Sequence, residues 1–248
     1  MTRFLDADSP IAFAHRGFAP HGGENSMAAF QAAIDLGYRY LETDVRVTAD
    51  GVALAFHDST LDRVTDSRGR IDRLPWSQVR RARISGSEPI PLLADVLGAW
   101  PDVCVNLDVK ADSGLGPTAD AVRVTAALPR VCVGAFSGRR VRTMRRLLGP
   151  DLVTGLPPFE ALGLRLARGS AAAGLRGRCA QVPLRIGAVP LVDAGYLAAA
   201  RRLGVRVHVW TVNERAEMER LLDLGVDGVM TDRADVLRDV LRERGEWS

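Results

Sequence analysis

Glu42 and Asp44 stand two residues apart in the segment YLETDVRV. On an extended strand that spacing points both carboxylates to the same side. A pair of acids held this way suits a hard divalent cation, Mg2+ or Ca2+, through oxygen ligands. Asp108 and Lys110 repeat the spacing, adding a third carboxylate and an ammonium. Lys110 is the only lysine in the chain, and every other basic residue is arginine. Lysine and arginine differ in shape, hydration and hydrogen-bond geometry, so a lone lysine can be kept for its chemistry. Arg16 and Lys110 can cradle phosphate oxygens. His15 and His57 can divide proton transfer between a base and an acid. Carboxylates, cations and a histidine pair together point to phosphoryl chemistry on an anionic diester.

These residues need elements that bring them to one place. Apolar strand-like runs alternate with helical patterns along the chain. The spacing predicts strands at Ile11 to Ala14, Tyr40 to Val47, Val103 to Val109, Val131 to Phe136, Leu152 to Gly155, Ala180 to Leu184, Val205 to Val212 and Val226 to Thr231. Asp50-Gly51 predicts a hairpin after the second strand, with Val52 to Phe56 returning to His57. Helices are predicted from Asn25 or Ser26 to Leu36, with Gly37 as the stop, and at Leu92 to Ala99, Thr118 to Leu128 and Arg139 to Leu148. Four more follow at Phe159 to Ala167, Leu191 to Leu203, Glu214 to Leu224 and Asp235 to Glu243. The polar stretch between Ser59 and Pro91 reads as an excursion with a short helix from Pro75.

Repeated strand–helix units imply parallel strands joined by crossovers. Eight such strands in 248 residues fit a (β/α)8 TIM barrel with a hairpin excursion after the second strand, in a single catalytic domain over residues 1–248. An open doubly wound sheet is the alternative. The first βα turn, HRGFAPHGG, lacks the glycine fingerprint of a dinucleotide fold. Barrel sites form at the C-terminal ends of strands, and the residues named above fall there. Trp210 falls there too, as a wall for substrate. Glu24 and Asn25 either order their loop or support the site from behind, and Asp232 and Asp58 read as structural or supporting acids. His21 reads as a solvated loop residue and His208 as a hydrogen-bonded histidine of the barrel core.

The formal net charge is +3, and the basic residues are spread along the chain. No basic arm suggests nucleic acid as a partner. Cys104, Cys132 and Cys179 lie far apart in apolar runs and read as small buried hydrophobes, forming neither disulfides nor a metal site. The N-terminus has no apolar leader region, and no stretch is long and apolar enough to span a membrane. The expectation is a soluble cytoplasmic protein.

His15-Arg16-Gly17, Glu24-Asn25-Ser26, Glu42-x-Asp44, Thr48-x-Asp50-Gly51, His57-Asp58, Asp108-x-Lys110, Trp210-Thr211-Val212-Asn213 and Gly228-x-x-Thr231-Asp232 follow one another along nearly the whole chain. This ordered set resembles the glycerophosphodiester phosphodiesterase family. The resemblance implies a TIM barrel and metal-dependent hydrolysis of small-molecule glycerophosphodiesters to sn-glycerol 3-phosphate and an alcohol, within lipid and glycerol metabolism. It implies His15 and His57 as the acid/base pair. Glu42, Asp44 and Asp108 would bind the metal, and Arg16 and Lys110 would contact the phosphate.

Two departures stand out. The family usually has glutamate where this chain has Asp108, one methylene shorter. Its Pro-Glu-Asn-Thr appears as Gly23-Glu24-Asn25-Ser26. The Asp-x-Lys form also resembles a related phospholipase D branch. That branch, with the apolar loop from Ile186 to Val192, motivates an alternative activity on lysophospholipids or sphingolipids. A phosphate-binding barrel without turnover is the non-enzymatic alternative.

Overall fold

The eight expected strands form in this computed structural model, which describes residues 3–6, 10–166, 177–187 and 189–247. They are β1 (Ile11–His15), β2 (Tyr40–Val47), β3 (Cys104–Val109), β4 (Val131–Gly134), β5 (Val153–Thr154), β6 (Cys179–Pro183), β7 (Arg206–Trp210) and β8 (Gly228–Thr231). All neighbours pair in parallel, in the order β5-β4-β3-β2-β1-β8-β7-β6. One parallel bridge, Gly155 opposite Cys179, joins the two ends of this order. There the Leu156 N–H donates to the Cys179 carbonyl at 2.7 Å, and the Arg178 N–H donates to the Thr154 carbonyl at 3.1 Å. The fold is the expected TIM barrel, and all strand C-terminal ends open on one mouth.

Phe13, Tyr40, Cys104, Cys132, Val153, Cys179 and Met230 form a buried cluster with Phe4. Phe4 and Phe13 meet the Tyr40 ring edge-on, at 5.5 and 5.4 Å between centroids. Burying each such side chain contributes on the order of 1.5–3 kcal/mol. The three cysteines are free and buried, as expected. His208 lies at the expected place, fully buried with its ring 4.9 Å from that of Phe13. Its expected hydrogen bond is absent among the described residues, since neither Nδ1 nor Nε2 has a partner. The ring is packed against apolar neighbours and Gly228 instead, and a Cβ at Gly228 would lie only 3.0 Å from His208 Cδ2.

The hairpin after β2 also forms. Its return strand, Ala53–Ala55, is shorter than expected and pairs antiparallel with Val45 to Val47. Gly51 turns the chain at φ +87°. The following excursion is more than a polar loop. It packs Leu61, Ile71, Val79, Ala82, Ile84 and Ile90 against Leu54 and Phe56 of the hairpin. The short helix after Pro75 is Trp76–Val79.

Helix boundaries shift where local chemistry overrides periodicity. The helix expected at Thr118 to Leu128 spans Leu115–Val124. Pro117 is tolerated in its first turn, where no amide donor is needed, and Ala126 ends the run at φ +49°. The helix expected from Leu191 begins at Ala194, because the Asp193 carboxylate accepts from the Tyr196 N–H at 2.8 Å and caps it. The helix expected from Phe159 spans Pro158–Leu166, and its expected last residue, Ala167, lies outside the described residues. Residue 188 of the apolar loop also lies outside them. Among the described residues no helix is long and apolar enough to cross a membrane.

Candidate active site

Strand register assembles the site. His15 lies beside Glu42, Glu42 beside Asn106, and Asp44 beside Asp108. Arg16 continues β1 in a left-handed conformation, φ +58°. Its N–H donates to the Glu42 carbonyl at 3.0 Å, and its own carbonyl accepts from the Asn25 N–H at 2.9 Å. A non-glycine residue held this way costs on the order of 1–3 kcal/mol, so surrounding contacts must enforce it. Gly17 supplies one of them. It passes so close to the helix Met27–Asp35 that a Cβ there would lie 2.6 Å from the Ala29 carbonyl carbon. Ser26, not Asn25, caps that helix. Asn25 faces the site instead. Its Oδ1 accepts from Thr43 at 2.7 Å, and its Nδ2 lies 3.5 Å from Asp44.

The carboxylates are compensated unequally. Lys110 Nζ stands 2.7 Å from Asp44 Oδ1 and 2.6 Å from Asp108 Oδ2, and Arg16 Nε lies 3.0 Å from Asp44 Oδ2. Burial pushes the Asp44 carboxyl up, but Lys110 and Arg16 outweigh it and hold it below the usual range. Burial dominates at Asp108 and raises it. Glu42 is raised to about 8 by burial, with Asp44 adding to the effect. Glu42 Oε2 and Asp108 Oδ1 are buried without a hydrogen-bond partner among the described residues. Buried carboxylate oxygens normally find a partner, and these two are what a divalent cation would take. With Asp44 they would supply only oxygen donors, the chemistry that Mg2+ or Ca2+ takes. As the side chains stand, no three acids, histidines or cysteines among the described residues close on one point. The Lys110 ammonium lies between Asp44 and Asp108.

Both histidines are oriented by a carboxylate. His15 Nδ1 is 2.6 Å from Asp232 Oδ1, and His57 Nδ1 is 2.6 Å from Asp58 Oδ1. Nε2 of each ring is then the nitrogen that the carboxylate does not engage, and it could exchange a proton. Burial alone would lower the affinity of His15 for a proton, yet Glu42, 3.7 Å from its Nε2, and Asp232 together raise it. Asn213 holds Asp232 in place, its Nδ2 donating at 2.9 Å and its Oδ1 accepting from the Asp232 N–H at 2.9 Å. Arg63 fixes Asp58 and brings that carboxyl down to about 2.

His15, Arg16, Glu42, Asp44, His57 and Asp108 line a cleft of about 420 Å3 that also holds Lys110, Trp210, Asn106 and Gln181. Its lining also includes the apolar side chains of Phe136, Leu156, Leu162, Ile186 and Leu191. Trp210 meets Phe136 edge-on at 5.9 Å. Thus His15, Arg16, Glu42, Asp44, His57, Asp108, Lys110 and Trp210 are brought together, with Glu24 and Asn25 behind them. Sequence reading passed over Asn106, Gln181, Phe136 and Arg63. Asn106 shares the alternation of Asp108 and Lys110, and Gln181 is a lone polar residue in an apolar strand. Gln181 Nε2 donates to Asn106 Oδ1 at 2.8 Å across the floor of the cleft.

The sequence model of the glycerophosphoryl diester phosphodiesterase family matches residues 15–154 and 162–236. A Mycobacterium tuberculosis protein named probable glycerophosphodiester phosphodiesterase 2 is 44% identical, covering 98% of this chain and 95% of its own length. A human lysophospholipase D is 26% identical over 92% of this chain and 84% of its own. A phosphodiesterase from Oleispira antarctica, solved with the product sn-glycerol 3-phosphate, shares the fold at a TM-score of 0.78. It is 19% identical and is covered over 94% of this chain and 97% of its own. The chain belongs to the glycerophosphoryl diester phosphodiesterase family and is a phosphoric diester hydrolase.

Proposed function

We propose that this enzyme hydrolyses glycerophosphodiesters to glycerol 3-phosphate and an alcohol, with a divalent cation at Glu42, Asp44 and Asp108. The observation that carries the reading is the pairing of two carboxylate-backed histidines with two orphaned buried carboxylate oxygens in one cleft. The cation would offset charge building on the phosphoryl oxygens. Arg16 and Lys110, already beside Asp44, would bind the phosphate and orient it. One of His15 and His57 would take a proton from the nucleophile, and the other would return one to the leaving alkoxide. The nucleophile is either water or the neighbouring glycerol hydroxyl, the second giving a cyclic phosphate first.

The test is a metal-by-substrate activity panel on purified protein with glycerophosphocholine. Release of glycerol 3-phosphate that requires Mg2+ or Ca2+, and that falls at least 100-fold in both His15→Ala and His57→Ala, supports the reading. Parental activity in both variants would sink the acid/base assignment. Early-time trapping of a cyclic phosphate separates the two nucleophiles.

One observation favours a second reading. Ile186 and Leu191 belong to the apolar part of the cleft lining, which could take an acyl chain. The lysophospholipase D name of the human relative fits this. A clear preference for lysophosphatidylcholine over glycerophosphocholine would make the lysolipid the substrate.

A further inference from the structure

Arg63 lies in the excursion after the hairpin, with a half-exposed side chain and no direct place in the cleft lining. Its guanidinium grips two carboxylates at once. Nε is 2.6 Å from Asp58 Oδ2 and Nη2 is 3.0 Å from Asp58 Oδ1. Nη2 is also 2.7 Å from Glu24 Oε1, and Nη1 is 3.3 Å from Glu24 Oε2. Each carboxylate continues to a group that lines the cleft. Asp58 Oδ1 is 2.6 Å from His57 Nδ1, and Glu24 Oε1 accepts from Arg16 Nη1 at 2.9 Å.

We infer that Arg63 is a positioning residue, a clamp that sets His57 and Arg16 against each other through Asp58 and Glu24. The inference rests on the acid/base and phosphate-binding roles proposed for His57 and Arg16. Three separate chain segments meet at this one side chain: the loop before helix Met27–Asp35, the end of the hairpin and the excursion. Exposed ion pairs contribute little to stability, so the consequence of this one lies in orientation. A planar fork can hold two carboxylates bidentately, whereas an ammonium offers a single point charge. Small displacements of a reacting or positioning group cost up to about 100-fold in rate.

The test compares the parent with Arg63→Ala, Arg63→Lys, Asp58→Asn and the Arg63→Ala/Asp58→Asn double variant. Glycerophosphocholine is the substrate, at saturating Mg2+, with thermal melting to verify folding. Arg63→Ala should lower kcat about 10- to 100-fold at a near-parental melting temperature. Added guanidinium should recover part of that loss, Arg63→Lys should fall between, and the double variant should be no slower than the slower single one. A kcat within twofold of the parent in Arg63→Ala, or losses that multiply in the double variant, would overturn the inference. A second readout does not depend on turnover. In protein labelled with 15N-histidine, the His57 ring resonances should move in Arg63→Ala and stay closer to parental in Arg63→Lys. Unchanged His57 resonances would overturn the clamp whatever the activity. An inactive parent with shifted resonances would instead sink the proposed reaction and leave the clamp standing.

Discussion

Glu42 and Asp44 sit two residues apart on one strand, yet their proton affinities move in opposite directions. Lys110 and Arg16 flank Asp44 and keep it ionised, while Glu42 is buried, faces Asp44 and is raised to about 8. In metal-free protein the folded state therefore holds a proton on Glu42 that the unfolded chain releases near pH 4.5. Stability from this group is lost as pH rises from about 4.5 through about 8. Glu42→Gln should remove that loss. In EDTA its melting temperature should exceed the parent's at pH 8, by a stability difference of about 1–3 kcal/mol, and converge with it near pH 5. A parallel pair of melting curves across this range would show that Glu42 is ionised without cost.

Asp232 supports His15 in the way Asp58 supports His57. Replacing it with asparagine keeps the shape and removes the charge. Because Glu42 and Asp232 together raise His15 against its burial, Asp232→Asn should move the His15 limb of the kcat/KM–pH profile to lower pH. It should also lower kcat about 10- to 100-fold by loosening the ring. The parent's extra stability from protonated His15 is present below pH 6.5 and lost as pH rises through the raised folded value, so Asp232→Asn should lose less on that rise. Steady-state kinetics and melting from pH 5 to 9 read both effects.

Metal removal tests the orphaned oxygens of Glu42 and Asp108. EDTA should abolish turnover, and Mg2+ or Ca2+ should restore it. A cation that binds only the folded protein raises its stability by about 2.7 kcal/mol at a concentration 100 times Kd. Asp108→Asn should weaken that thermal shift at least tenfold in metal concentration. Asp108→Glu, which restores the missing methylene, should retain it with an altered preference between the two ions. Equal shifts in all three proteins would remove Asp108 from the ligand set.

How much of this was legible in the sequence follows from the range of each interaction. The period of two in Glu42/Asp44 and Asp108/Lys110 is local, so their shared face could be read directly. Barrel closure was readable as a count of strands, but the Gly155–Cys179 bridge that completes it was not. Arg63 reaches Glu24 across 39 residues, and no spacing rule reports such a pair. The apolar run predicts a strand through Phe136, but β4 stops at Gly134, leaving the ring 63% exposed at the mouth. The helix near Thr118 slipped because a left-handed Ala126 outweighed apolar periodicity.

His208 gives the last prediction. Its ring is fully buried, neither nitrogen has a partner among the described residues, and burial pushes its pKa down to about 3. The unfolded chain takes up this proton near pH 6.5, whereas the folded barrel resists it. Stability from a neutral His208 is therefore complete above pH 6.5 and declines as pH falls toward about 3. Leucine has a similar volume and no polar atoms to leave unsatisfied. His208→Leu should match the parent within about 1 kcal/mol at pH 7. At pH 4 it should be more stable by about 1–3 kcal/mol, with its acid-unfolding midpoint moved to lower pH. Chemical denaturation at the two pH values measures this directly, and an equal pH dependence in both proteins would mean that the buried ring is hydrogen-bonded when protonated.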